Sequence, residues 1–497
     1  MKLVRLIIPT ILILIICVIS YNTYNNAKTV SNNPLSVIPS HSSILIKINK
    51  PHKAFSYFKN KKIWEKLSNI FSSEKINHNL NLIENLFKEI NLNKENTLFI
   101  TLLKDGVSSS GFLLSSELNK EDITKINNYF NISSLKHINY DNTKIFEVKK
   151  DSVNFYFTEV KNIICISSSK TIIEDAIKST NSKYNFTTNK NFINIYNTIN
   201  NSNEINVIYN FNKLLDLSND FPIEYKNLLD NINEWVAADM KLRNDKIILN
   251  GYNLIDYKLS NYSDILNNQD AETINAFKFI PDNTNILFSL GFNKAQKLFS
   301  NNNKLLENNN KVWESDKYKK EIQNLYKFDY NEFSNHIDNE AGLFICGTNN
   351  NEEKKFSYFK TKESIHASSL IQKLIDQEKS KIYLDNEINY INDKKLTSNL
   401  FGERFTYNND NFYIVIDDYF IFSNSSENLE FIIDNYVSGS TLKNNNNFIK
   451  FSNNTLSKSN LFIYFNTAQL LGSINKNLNN KLKLDSLQNF TGLSYQI

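Results

Sequence analysis

At 497 residues the chain is long enough for two or three domains with real cores. Apolar residues at 41% and aromatics at 13% argue against a disordered chain. The formal charge of +4 is small for this length, and no basic stripe interleaved with aromatics occurs, so no nucleic-acid partner is expected. The abundance of Asn, Lys and Ile, beside only 10 Gly and 6 Pro, reads as AT-rich codon choice.

Lys2 and Arg5 precede an uncharged run from Leu6 to Tyr21. It is too apolar for a soluble N-terminus and somewhat shorter than the roughly 20 residues of a full span. Residues 1–21 are therefore expected to be an N-terminal transmembrane anchor or signal segment. An uncleaved anchor is favoured over a cleaved signal peptide, because Asn22, Thr23, Tyr24, Asn25 and Asn26 offer no small-x-small site. Cys17 raises a lipoprotein alternative, but Ile16 stands where a small residue should precede it. Positive charge ahead of the run places the bulk of the chain outside the cytoplasm. The expected location is the inner membrane, facing the periplasm, with the membrane as a partner through residues 6–21. Residues 22–36 read as a polar spacer.

The stretch Val37-Ile38-Pro39-Ser40-His41-Ser42-Ser43-Ile44-Leu45 returns as Phe279-Ile280-Pro281-Asp282-Asn283-Thr284-Asn285-Ile286-Leu287. An Ile-Pro stop, a polar turn and an apolar run describe a loop entering a strand. Further anchors stay collinear. Leu98-Phe99-Ile100 answers to Leu343-Phe344-Ile345, and Asn154-Phe155-Tyr156 to Asn411-Phe412-Tyr413. Asn191-Phe192-Ile193 answers to Asn447-Phe448-Ile449, and Asn206, Phe211 and Asn212 to Asn460, Phe465 and Asn466. The chain reads as two tandem copies of one unit, over 37–255 and 279–497, joined by a polar connector at 256–278.

Within the first copy, strands are expected at Ile44–Ile48, 97–103 and 111–114, with helices over 51–69, 79–90 and 121–130. The runs 153–159 and 162–166 form a hairpin whose counterpart is 412–416 and 419–422. Each hairpin leads into a Ser-rich helix start, Ser167-Ser168-Ser169 and Ser423-Asn424-Ser425-Ser426. A helix at 191–199, a strand at 205–211 and a closing hairpin over 235–242 and 246–254 complete the unit. Strands in hairpins separated by helices give an α+β class: two copies of a mostly antiparallel sheet-plus-helices unit behind an N-terminal membrane anchor. The second copy reaches Ile497 where the first makes its last hairpin. It is expected to be incomplete at its C-terminal end, in a fragment of a longer protein.

The chemistry-bearing residues assemble into no recognised site. Gly106/Gly111 and Gly342/Gly347 have the interval of a phosphate loop but lack the following Lys-Ser/Thr, and read as turn residues. Ser-x-x-Lys occurs at Ser56–Lys59, Ser167–Lys170 and Ser357–Lys360 without companion motifs. His41, His52, His78, His137, His336 and His366 form no ligand cluster, and His41 and His52 read as surface residues. Glu121-Asp122 and Glu174-Asp175 suit the starts of helices, and Asp417-Asp418 a hairpin turn. Cys165 and Cys346 read as two buried single thiols, with a bridge between the copies as the alternative. No catalytic, cofactor-binding or metal residue is named, and no cofactor is expected.

Ile38-Pro39, Ile44-Leu45-Ile46, the hairpin-helix Asn154-Phe155-Tyr156 to Ile166-Ser167-Ser168, and Asn250-Gly251-Tyr252 carry a family resemblance. Over residues 37–497 the unit resembles the repeated module of membrane-anchored, extracytoplasmic proteins of Bacteroidota, similar to the DUF3352 type. The resemblance implies no catalytic residues. The chain is therefore expected to be a non-enzymatic periplasmic scaffold or binding module with an unknown protein partner. The alternative is a carrier of a lipid or other apolar ligand in the cell envelope, held between an aromatic sheet and its helices.

Overall fold

The structure is a computed structural model. It describes residues 33–51, 96–106, 109–131, 135–150, 153–181, 185–216, 223–243, 245–254, 259–347, 353–469 and 491–497. The apolar run at 6–21, nearly all of the helices expected over 51–69 and 79–90, and His52, Ser56 and His78 lie outside them. Among the described residues no helix is long and apolar enough to cross a membrane.

They form two compact units. The first holds the described residues up to Asp216 together with Trp235–Tyr252; the second holds those of Asp220–Glu234 and of Asn253–Ile497. The second unit therefore takes in a stretch of the first copy's sequence, and it also absorbs the expected connector. Tyr262, Ile265 and Ala276 of that connector are buried, and Glu272 bridges to Ser459.

The first unit is a ten-stranded sheet in the order β10-β9-β8-β1-β2-β3-β7-β6-β5-β4. Its strands are β1 Ile44–Ile48, β2 Leu98–Asp105, β3 Ser109–Glu117, β4 His137–Tyr140, β5 Thr143–Lys150, β6 Val153–Val160, β7 Ile163–Ser167, β8 Ile205–Asn210, β9 Trp235–Leu242 and β10 Ile247–Asn253. Pairing is antiparallel from β9 across to β4. One face buries Phe112, Leu114, Phe155 and Ile166 under helix α1 (Lys120–Tyr129), whose Ile123 and Ile126 point inward. The Asn119 side chain accepts the Asp122 N–H and so caps that helix. The other face buries Leu113, Ile163 and Cys165 under α2 (Lys170–Asn181), through Ile172, Ile173, Ala176 and Ile177. α3 (Lys190–Tyr196) and α4 (Phe211–Asp216) complete the described helices of this unit.

The β4–β5 hairpin does not emerge from apolar periodicity, because β4 (His-Ile-Asn-Tyr) is largely exposed. Its signal is the turn: Asp141 and Asn142 both take positive φ, as a tight two-residue hairpin requires.

The second unit has strands β11 Thr284–Gly291, β12 Ile337–Gly347, β13 Glu353–Thr361, β14 Ile375–Tyr383, β15 Asn386–Ile391, β16 Phe412–Ile416, β17 Tyr419–Ser423, β18 Leu461–Phe465 and β19 Leu493–Gln496. Their order is β14-β15-β16-β17-β13-β12-β11-β18-β19. Its helices are α5 Ile223–Leu229, α6 Ala295–Asn308, α7 Val312–Tyr326, α8 Tyr330–Ser334, α9 Ser364–Ile371, α10 Leu396–Phe401, α11 Ser426–Ser438 and α12 Asn446–Ser452. On one sheet face α11 packs Leu429, Ile432 and Ile433 against Phe356 and Ile421. On the other face Phe333 of α8 and Phe401 of α10 meet Phe359 of β13.

From β9 to β4 the first sheet and from β19 to β14 the second have one strand order, position for position. Local details recur with it. The Ser42 hydroxyl donates to the Pro39 carbonyl at 2.6 Å, and Thr284 donates to Pro281 at 2.7 Å. Asn189 caps α3 and Asn445 caps α12, each accepting the N–H of the Phe that follows, Phe192 or Phe448. Two of the sequence anchors do not hold their register. Ile100 faces Ile46, whereas Ile345 faces Ile286, a slip of two residues that leaves the same side chains inward. The hairpin turns Lys161-Asn162 and Asp417-Asp418 set the hairpin correspondence one residue away from the Asn154/Asn411 match. Cys165 therefore answers to Ile421; a one-residue slip exchanges the two faces of a strand.

Counted from the shared loop, Lys47 and Ser289 occupy one rung of the two sheets. In the first sheet this rung runs Lys47–Phe99–Ser115, and in the second Ser289–Gly342–Tyr358. Large and small have changed places on adjacent strands. A Cβ at position 342 would lie 2.7 Å from the Tyr358 ring and hydroxyl and 2.5 Å from the Phe288 carbonyl oxygen. The bare glycine lets the phenol cross β12 and bond Ser289 on β11. Gly342→Ala is therefore expected to destabilise the second unit by about 1–3 kcal/mol. A thermal denaturation profile should show that unit's transition lowered.

Candidate functional site

Four carboxylates of the second unit are fully buried: Asp264, which accepts the neighbouring Ser260 and Asn261 N–H groups, and Glu340, Asp393 and Asp410, whose partners lie further along the chain. A buried charge is costly unless donors surround it, so their partners define what they do. Glu340 sits on β12 beside a register shift in its pairing with β13. Its carboxylate accepts the Asn275 N–H at 2.9 Å, the Ala276 N–H at 3.0 Å, the Tyr419 hydroxyl at 2.6 Å and the Tyr358 hydroxyl at 3.3 Å. Burial raises its pKa, while these four hydrogen bonds oppose the rise. Phe279 lies edge-on to Tyr358 and tilted against Tyr419, with centroids 5.4 and 5.0 Å away. One acid thus ties the short 3-10 turn Ala276–Lys278 to strands β12, β13 and β17.

Asp393 and Asp410 lie on the opposite face, around the start of α10. Asp410 accepts the Thr397 N–H and hydroxyl, both at 2.8 Å, and the Ser357 hydroxyl at 3.0 Å. Asn408 donates to Ser357 at 3.3 Å. Asp393 accepts the Lys395 N–H at 3.1 Å, the Tyr318 hydroxyl of α7 at 3.0 Å and the Tyr330 hydroxyl of α8. Burial lifts both carboxyls, that of Asp410 to about 7.

The residues singled out from sequence are dispersed. Ser357 and Lys360 are three apart on a strand and diverge: Ser357 bonds Asp410, while Lys360 pairs with Asp338 at 2.7 Å. The Ser167 hydroxyl is held by the Phe112 carbonyl at 2.7 Å. Gly106 is a turn residue with positive φ. Gly111 and Gly342, read as turn residues from sequence, lie inside strands where a Cβ would collide with Ile172 and with Tyr358. His41 faces Asp175 at 3.9 Å, and the His336 and His366 rings are parallel with centroids 6.3 Å apart. Among the described residues no group of three or more acidic, His or Cys side chains could hold a metal.

Glu121 and Asp122 stand in the first turn of α1, where Asp122 is buried and receives the Asn96 amide at 2.8 Å. Glu174 and Asp175 lie further along α2 and pair with Lys170 and Lys178. Asp417 takes positive φ in the turn between β16 and β17. None of Glu340, Asp393 and Asp410 stands out in the sequence. The legible signals were Asp393 just ahead of the α10 helical run and the Asp410 carboxylate in a polar Asn stretch.

The fold and these internal acid clusters define an α+β protein whose polar chemistry is turned inward. The family model described as "Protein of unknown function (DUF3352)" matches residues 115–398, from within β3 to within α10. That is more than half of the 497 residues, and the chain belongs to this family. No curated protein and no solved structure matches it.

Replacing Glu340 by Ala leaves two phenols and two backbone N–H groups without their acceptor and is expected to cost about 3–5 kcal/mol. Tyr419→Phe removes one of the four donors and should cost about 1–2 kcal/mol. Urea unfolding should show both as lowered midpoints at unchanged slope. Cys165 and Cys346 are free and buried, and burial pushes both thiols up to about 12. Neither is expected to react with a thiol reagent near pH 8 in the native protein, and both should react in denaturant.

Proposed function

We propose that the protein is a membrane-anchored scaffold or binding module of the bacterial periplasm, working without catalysis, in an organism of the Bacteroidota. The observation that carries the reading is the assignment of the acids. Glu340 is occupied in joining three strands and a turn, Asp393 in joining two helices and a loop. Acids engaged in this way stabilise a surface for partners and are not placed to meet a substrate.

The location rests on Lys2 and Arg5 ahead of the run Leu6–Tyr21. The carrier of an apolar ligand is the less supported alternative. In the second unit Phe279, Phe344, Tyr358 and Tyr419 pack ring to ring with centroids 5.0–6.4 Å apart, filling the space between sheet and turn with side chains.

Expressed in a Gram-negative host, the full chain should sediment with membranes, resist high salt and be released by detergent. Protease added to spheroplasts should degrade it, while intact cells should protect it. A salt-extractable protein, or one protected in spheroplasts, would contradict the anchored periplasmic reading. Lipid extracted from the detergent-free ectodomain at one equivalent per chain would favour the carrier.

A further inference from the structure

Asp393 and Asp410 stand at either end of a loop that folds back on itself: the Asp410 N–H donates to the Lys394 carbonyl at 3.1 Å. Between them the chain makes the first turn of α10, whose Leu400 and Phe401 are buried against Phe292, Phe299, Phe359 and Phe405. Both carboxylates are out of contact with solvent, and neither is within ion-pair distance of a cation among the described residues. Asp410 is surrounded by Thr397, Ser357 and, through Ser357, by Asn408, none of which titrates.

The titratable groups facing the pair come from α7, α8 and the loop that carries Asp393. Tyr318 and Tyr330 donate to Asp393, the Lys395 ammonium lies 5.3 Å from the Tyr318 ring centroid, and that of Lys319 lies 5.7 Å from the Tyr330 centroid. Asp393 itself bears on Asp410 as a like charge.

Two enclosed carboxylates of one sign are stabilised by binding a proton; the Lys395 ammonium favours the charged form of Asp393, while no cation does so for Asp410 among the described residues. The two sites differ in how they accommodate it. Asp393 is held by the Lys395 N–H, which can only donate, and by two phenols already directed at it. Asp410 also accepts one backbone N–H, that of Thr397, but its other partners are the hydroxyls of Ser357 and Thr397, which can rotate and accept. Glu340, by contrast, receives two backbone N–H groups and two phenols, which hold the ionised form.

We propose that Asp410 is the proton-binding member of a buried acid pair with Asp393, and that losing this proton as the pH rises loosens the start of α10, making the second unit a pH-responsive element. The direction follows from where the proton is held. Asp410 titrates at about 7 in the folded unit, against roughly 3.9 for an exposed Asp. Across that window the folded chain binds more protons than the unfolded chain, so stability is greatest at the acid end, falls as the pH rises towards 7, and is flat above it. A protein exposed to an unbuffered space, as in the function proposed above, would be firmest in mildly acidic surroundings, although the device itself does not depend on that location.

The test is thermal unfolding of the full chain at about pH 5.5 and about pH 8, for wild type and Asp410→Asn, which keeps the shape and removes the charge. The second unit's transition should fall between the two values in wild type, and the variant should lose most of that fall and match or exceed wild type at the higher pH. Parallel profiles for the two proteins would overturn the proposal. Should Asp410→Asn fail to fold, infrared difference spectra of the wild type decide the matter. A carbonyl band of a protonated, buried carboxylic acid present at about pH 6 and lost by about pH 9, and retained in Glu340→Gln, supports it. No such band in the wild type, or its disappearance in Glu340→Gln, refutes it.

Discussion

A carboxylate enclosed in an apolar core must be surrounded by donors or it unfolds its surroundings, and Glu340 shows how far that constraint reaches. Its four donors come from three separate stretches of chain: the turn at Asn275 and Ala276, Tyr358 on β13 and Tyr419 on β17. Satisfying them fixes the entry of the Phe279-Ile280-Pro281 loop, and with it the start of β11, which lies between β12 and β18. It also requires a gap in β12. Only a residue without a side chain at 342 allows Tyr358 to reach across to both Ser289 and Glu340.

In the first unit the buried Asp122 belongs to α1, and the rung itself is filled differently. On its corresponding rung Phe99 fills the middle and Ser115 replaces the tyrosine, so ring and gap are exchanged between adjacent strands. Among the described residues the Ser115 and Thr101 hydroxyls then remain buried without partners, whereas on the matching rung of the second unit Ser289 and Tyr358 bond each other. One strand order is thus held together by two different interiors: aliphatic and aromatic packing in the first, and acid-centred hydrogen bonds added to that packing in the second. The acids stabilise geometry in a module whose proposed role is to present surfaces, with Asp410 retained where a proton can come and go.

Much of this organisation was legible in the sequence. The period-two runs located most of the strands, the Ser- and Asn-rich entries located helix starts, and the repeated Ile-Pro loop revealed two copies of one plan. What was misread has physical causes. β4 carries almost no apolar signal because it is an exposed edge, and only the Asp141-Asn142 turn reports it. The hairpin anchor slipped by one residue because Asn, Phe and Tyr are each abundant enough for a three-residue match out of register, while pairing register is set by the turn. Two of the glycines read as turns, Gly111 and Gly342, proved to be places inside strands where another side chain takes the space of a Cβ, which no local pattern encodes.

The sequence by itself determined the α+β class, the antiparallel hairpins and the family, because each of these is carried by local periodicity and short motifs. Tertiary structure alone decided which carboxylates are enclosed, since Glu340, Asp393 and Asp410 look like any other acid in a chain with 52 of them. It also decided that residues 220–234, although part of the first copy, belong to the second unit. Burial and donor placement arise from residues tens to over a hundred positions apart, such as Asn275 with Glu340 and Ser357 with Asp410, and only the folded chain brings those partners together.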